Sequence, residues 1–237
     1  MNVVSIMAHA DDEMRCLGTM LKCKARGDRL YFVTLTDGSK GFVQNPGIER
    51  QEAARIRQAE LSALAAAAGG AVYINLSEAD EFLYDTPEVR MKLIEAIRQT
   101  GAQLIFTHYS EDYNLDHTTV NRLVRHCAMQ AVLPVLPTQS PALKEHPAIF
   151  LCEPYGAFQF PATHYVDISA YHAEKVRLLE NHASQVQAMQ AAGLSNGLED
   201  LCARVEGYRG EQAGCHWAEC FTPMPGRGSI KPYAVLP

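Results

Sequence analysis

Short apolar runs alternate along the chain with longer segments in which apolar residues recur at helical spacing. Val3-Val4-Ser5-Ile6-Met7-Ala8 is almost continuously apolar, so residues 2–8 predict a strand buried on both faces. A helix is expected from about Glu13 to Arg26, closed by Gly27. Leu30 to Leu35 predicts a second strand, ended by the turn Thr36-Asp37-Gly38. Residues 39–47 read as a loop, and a long helix follows from about Ile48 to Ala68, stopped by Gly69-Gly70. Val72 to Leu76 is a third strand. Pro87 to Thr100 is a helix with proline in its first turn and Gly101 past its end. Leu104 to His108 is a fourth strand, Ser110 to Asp116 an acidic turn, and His117 to about Ala131 a helix. Beyond the prolines at 134, 137 and 141, Ile149–Glu153 and Tyr165–Ile168 predict strands and Ala170–Ala192 one long helix. From about residue 193 the pattern dissolves into an irregular tail.

Apolar strands alternating with helices predict an α/β fold, a Rossmann-like, doubly wound three-layer sandwich with a mostly parallel sheet. The chain reads as one domain over 1–237. In such sheets ligands bind beyond the carboxyl ends of the strands, where the strand order reverses. Polar residues at strand ends are therefore where chemistry is expected. The first strand runs into His9-Ala10-Asp11-Asp12-Glu13, and the fourth into His108, Glu111, Asp112, Tyr113, Asn114, Asp116 and His117. If these strands are neighbours, imidazoles and carboxylates surround one point. Two imidazoles and one carboxylate with an open position suit a catalytic zinc or ferrous site.

Composition narrows the partners. With 237 residues and 47% hydrophobic content the chain can bury a sizeable core. A net charge of -6 argues against a nucleic-acid partner, which needs a basic face. The seven cysteines form no CxxC pair and several sit in apolar runs, which predicts a reduced, cytoplasmic protein. No apolar stretch reaches the ~20 residues of a membrane helix, and no signal peptide is expected. The composition is compatible with a homo-oligomer.

His9-Ala10-Asp11-Asp12-Glu13, together with Asp116-His117, resembles the PIG-L/LmbE family of zinc-dependent de-N-acetylases, whose pattern is H-P-D-D-E early and H-P-D-H about a hundred residues later. Thr36-Asp37-Gly38, Arg57 with Glu60, His182-Ala183-Ser184-Gln185 and Trp217-Ala218-Glu219-Cys220-Phe221 resemble further motifs of that family. The resemblance implies His9, Asp12 and His117 as metal ligands, with Zn2+ by default and Fe2+ as another divalent cation. It implies Asp11 as the general base that deprotonates the attacking water, and Asp116 as the group that orients an imidazole. The implied reaction removes an N-acetyl group from a small-molecule sugar or conjugate of N-acetylglucosamine type. Two positions depart from the pattern. Ala10 replaces a proline, and Asn114 replaces the first histidine of H-P-D-H. An asparagine can donate a hydrogen bond to a developing oxyanion but cannot act as an acid.

Arg57, Tyr113 and His182 are the expected substrate-binding residues. Arg57 would clamp an anionic or hydroxyl-rich group, Tyr113 would donate to substrate, and His182 would reach in from the late helix. Lys40, Phe42 and Asn45 would line the entrance, with substrate choice set by loops 39–47, 134–148 and 153–164. Glu219, in an apolar run, needs a partner, expected to be Arg57 or a tail residue. A non-haem iron enzyme and a non-catalytic Rossmann-like binding module are the rival readings. The second lacks its G-x-G-x-x-G after the first strand.

Overall fold

The structure is a computed structural model that describes residues 1–156, 158–194 and 197–224. Seven strands form one sheet: β1 Asn2–Met7, β2 Arg29–Thr36, β3 Val72–Glu78, β4 Leu104–Thr107, β5 Ala148–Cys152, β6 His164–Asp167 and β7 Ala218–Pro223. Their order is β3-β2-β1-β4-β5-β7-β6. The first five strands pair in parallel, and β7 runs antiparallel to both β5 and β6. This is the mostly parallel α/β sandwich expected from the sequence.

Strand residues alternate between two cores, as the pleat requires. Val3, Met7, Phe32, Phe106 and Phe150 pack on one face with α1 (Leu17–Ala25), α2 (Arg50–Ala67), α5 (His172–Leu179) and α7 (Leu198–Ala213). Val4, Ile6, Val33, Ile105 and Leu151 pack on the other with α3 (Pro87–Thr100) and α4 (Leu115–Gln130). A short helix, α6 (Ala183–Ala191), lies between α5 and α7 in the chain. Among the described residues no helix is long and apolar enough to cross a membrane. All seven cysteines are free.

Three expectations change. The helix predicted from Glu13 starts as a 3-10 turn, Asp12–Arg15, and becomes α1 only at Leu17. The helix predicted over 170–192 is broken at His182, so that its ring turns inward to Glu13. The region from 193 is not an irregular tail. It contributes α7 and the sheet strand β7, while residues 225–237 of that expectation lie outside the described residues.

Glu219, on β7, ties this late strand to the start of the chain. Its carboxylate accepts from Gly18 N (2.9 Å) and Thr19 N (2.7 Å) at the first turn of α1 and from Lys175 Nζ (2.7 Å). The partner of Glu219 is therefore Lys175, and not Arg57. Lys175 also donates to Glu206, so the wholly buried ammonium sits between two carboxylates.

Candidate active site

The sheet reverses direction between β1 and β4: β2 and β3 build outward on one side of β1, β4 and β5 on the other. The two strands are adjacent, with Ile6 opposite Thr107. The residues just past their ends, His9 and His108, therefore face one crevice, as the rule for doubly wound sheets requires. A cavity of about 280 Å3 opens there.

Asp11 gives the turn after β1 its shape. Its φ is 118°, a left-handed conformation that side chains rarely adopt. Six contacts hold it. Asp11 N donates to Glu13 Oε2 at 2.9 Å, and the other Glu13 oxygen meets His182 Nε2 at 2.5 Å. Arg57 donates to the Ala10 carbonyl and lies 3.4 Å from Asp11 Oδ1. Thr36, from both its N–H and its hydroxyl, donates to Ala8 O.

His9, Asp12 and His117 converge. His9 Nδ1 is 3.2 Å from His117 Nε2 and 3.3 Å from Asp12 Oδ2, and His117 Nε2 is 3.3 Å from Asp12 Oδ1. The two distances to Asp12 end on different oxygens of its carboxylate, and the 3.2 Å between the two ring nitrogens matches the roughly 3.3 Å that ligands of a tetrahedral cation with bonds of about 2.0–2.1 Å keep from one another. The far nitrogen of each ring faces carboxylate. His117 Nδ1 is 2.9 Å from Asp112 Oδ2. His9 Nε2 is 3.0 Å from Asp80 Oδ1 and 3.4 Å from Asp116 Oδ2, neither aligned as a full hydrogen bond. Such partners fix ring orientation and raise ligand basicity. The donor set thus fits a divalent cation.

The electrostatics point the same way. Burial opposes charge on His9, yet the carboxylates of Asp116, Asp12 and Asp80 overcome it and hold its imidazolium well above the usual range. Burial likewise opposes charge on His117, but Asp12 and Asp112 raise it to about 9. Burial would raise the Asp12 carboxyl, but the His117 and His108 rings pull it well below normal. The carboxylates thus concentrate negative charge around the two imidazoles. Asp11 is the exception: burial pushes its carboxyl up to about 6, against the pull of Arg57. His108 goes the other way, lowered to about 4 by burial and by His117, on which it stacks at 4.1 Å. Its Nε2 accepts from Ala8 N at 2.9 Å.

The comparisons with known proteins fit this geometry. The family model described as GlcNAc-PI de-N-acetylase, PIG-L, matches residues 4–128, more than half of the chain. This chain belongs to the PIG-L family. None of the curated proteins matches the sequence. Among solved structures, N,N'-diacetylchitobiose deacetylase from Pyrococcus horikoshii is similar over 94% of this chain and 84% of its own, with a TM-score of 0.80 and 22% identity. A conserved protein from Thermus thermophilus is similar over 97% of both chains, with a TM-score of 0.79 and 24% identity. GalB, a 4-carboxy-2-hydroxymuconate hydratase from Pseudomonas putida, covers 98% of this chain and 100% of its own, with a TM-score of 0.78 and 16% identity. These are likenesses of fold. Because one of them is a hydratase, the reaction has to be argued from the site.

As a PIG-L member, the chain shows where its singled-out residues fall. His9, Asp11, Asp12, Arg57, Tyr113, Asn114 and His117 line the pocket. His182 does not. It is wholly buried against Glu13, behind the turn and away from the pocket lining. Asp116 is turned mainly toward the backbone, accepting from Glu81 N (2.8 Å) and Leu83 N (3.1 Å), and its second contact is the looser one to His9. Asn114 caps α4: its Oδ1 accepts from Asp116 N at 2.7 Å and from His117 N at 3.4 Å, and its Nδ2 is 3.3 Å from Glu81 Oε1. Of the expected entrance residues, Lys40 lines the pocket, whereas Phe42 and Asn45 do not. Sequence reasoning missed Asp80, Asp112 and Glu13 as supports of the site and made no ligand claim for His108. Position at the end of β4 was the one signal that could have found His108.

Proposed function

We propose that the chain is a divalent-cation-dependent amide hydrolase, with zinc the expected ion, that removes the N-acetyl group from a sugar or conjugate of N-acetylglucosamine type. One observation carries this reading: His9 Nδ1, His117 Nε2 and the two oxygens of the Asp12 carboxylate converge at 3.2–3.3 Å, with Asp11 lining the same pocket. Membership of the PIG-L family supports it, as does the deacetylase named among the similar folds.

A divalent cation bound there supplies a Lewis acid that polarises the acyl oxygen and lowers the pKa of water from 15.7 toward ~7. The residues of the chain do the rest. Asp11, with its carboxyl near 6, takes the proton of the attacking water and is matched to neutral pH for doing so. The same group returns that proton to the leaving amine, since Asn114 has none to give and the lowered His108 stays neutral. Tyr113, 63% exposed where it lines the pocket, is protonated at neutral pH as any phenol is and donates to substrate. Arg57 and Lys40, on the β2 side of the pocket, face sugar hydroxyls.

The test is acetate release from N-acetylated sugars and conjugates by zinc-loaded protein, with metal analysis of the purified chain. Acetate released by the native protein and lost in His117→Ala is expected. Stoichiometric metal retained in both His9→Ala and His117→Ala, or no acetate from any compound, overturns the reading.

A further inference from the structure

His108 stands just past the end of β4, in the pocket lining, and is 7% exposed. Its ring stacks on that of His117, with centroids 4.1 Å and planes 12° apart. The backbone N–H of Ala8 donates to its Nε2 at 2.9 Å. A ring nitrogen that accepts keeps its lone pair, so this imidazole is neutral and carries its one proton on Nδ1. Asp12 Oδ2 lies 3.4 Å from the same Nε2, but that oxygen accepts from His9 N at 2.7 Å.

The protonated Nδ1 meets no polar group of the described residues. Nor is it sealed inside the protein, so it opens on the pocket that the ring lines. A largely enclosed donor without an acceptor is costly, and such a group calls for a partner. Here the partner comes from what enters the pocket.

Attack of water on an amide carbon moves an electron pair onto the acyl oxygen, which then needs donors fixed in place beforehand. The neighbouring candidates are engaged or wet. Asn114 Oδ1 caps α4 and its Nδ2 turns to Glu81. Arg57 is held by the Ala10 carbonyl and lies against Asp11. Tyr113 and Lys40 are exposed, where water competes for their protons.

We propose that His108 is a catalytic residue whose Nδ1–H donates to the acyl oxygen and holds it more strongly as charge develops there. The proposal rests on the amide-hydrolase reading above. No proton leaves the ring, which separates its part from that of Asp11.

Two substitutions tell the two ring nitrogens apart. His108→Gln sets an amide oxygen near the place of Nε2, so it keeps the acceptor for Ala8 N and loses the Nδ1 donor. His108→Asn sets an amide N–H near the place of Nδ1 and loses the acceptor. On an N-acetylated sugar that the zinc-loaded native protein hydrolyses, His108→Gln should lower kcat about 10²–10³-fold, with KM and zinc content little changed. His108→Asn should melt at a lower temperature yet keep at least a tenth of the native kcat. Equal kcat in the two variants, or an active glutamine variant beside an inactive asparagine one, overturns the proposal. A second readout needs no turnover. Methylphosphonate presents tetrahedral anionic oxygens, and by calorimetry it should bind the zinc-loaded native and His108→Asn proteins at least tenfold more tightly than His108→Gln. Equal affinity, or no binding to the native protein, overturns the donor. If the native protein releases no acetate from any N-acetylated compound, the amide-hydrolase reading fails, and this binding difference alone decides whether Nδ1 is an anion donor.

Discussion

Glu13 Oε1 lies 2.5 Å from His182 Nε2, both side chains almost completely buried, while the other Glu13 oxygen holds the backbone N–H of Asp11 in its left-handed turn. The pair fixes where the Asp11 carboxylate points without either member touching the pocket. Replacing Glu13 by leucine leaves two buried N–H groups without acceptors and frees the turn. We expect kcat to fall about 10²-fold, the cost of a misplacement near 1 Å, with KM and metal content little changed. Glu13→Gln should recover most of the loss. His182 Nδ1 has no partner among the described residues, so the ring can move its proton there and accept from the new amide at Nε2. Steady-state kinetics on both variants check this, and a glutamine variant as poor as leucine argues against it.

Asp11 should set the acid limb of the rate. Its carboxyl is raised by burial to about 6, and a base must be ionised, so activity is lost as pH falls through that value. A cation beside it favours the carboxylate, which places the limb of kcat/KM at or below about pH 6. Asp11→Asn should keep its metal and lose about 10²–10⁴-fold in turnover. Full activity in that variant removes Asp11 from the chemistry.

Metal affinity should rise with pH. In the cation-free protein the Asp12 and Asp112 carboxylates outweigh burial and hold His117 at about 9. Below that pH a bound ion must displace a proton. Apparent affinity for zinc should therefore increase up to about pH 9 and flatten above it. Calorimetry at pH 7 in buffers of different ionisation enthalpy should show proton release on binding, and none released would mean that these rings are not the ligands.

Asn114 should matter for stability more than for chemistry. Its side chain caps α4 at the helix end that carries His117. Asn114→Ala should cost about 1 kcal/mol, read as a lower melting temperature. Asn114→Ser keeps a capping oxygen and should hold both stability and turnover. A large loss of kcat in the serine variant would return Asn114 to the role of oxyanion donor.

Much of the site was legible in the sequence because parallel-sheet physics puts chemistry at strand ends. Apolar runs located β1 and β4, and the polar residues that follow them contain His9, Asp11, Asp12 and His117. Asp112 belongs to the same polar run and reaches His117 locally, five residues on, whereas Asp80 shares no spacing with these residues. It reaches the His9 ring only because the chain after β3 folds over the switch point. His182 reads as an interior position of one helix, and the break that turns it inward follows from its contact with Glu13, 169 residues away. The α7 helix was hidden by its glycines. A side chain at Gly210 would come within 2.5 Å of the His216 carbonyl, so glycine there is a packing requirement and not a helix stop.

The sequence by itself determined the layered α/β architecture and the residue types gathered at the candidate site, because hydrophobic period and strand-end position are local properties. Only the tertiary structure decided that Asp80 backs the His9 ring, that His182 serves the turn and that α6 and α7 wall the pocket. Those choices depend on contacts between segments far apart in the chain, and nothing in their local spacing encodes them.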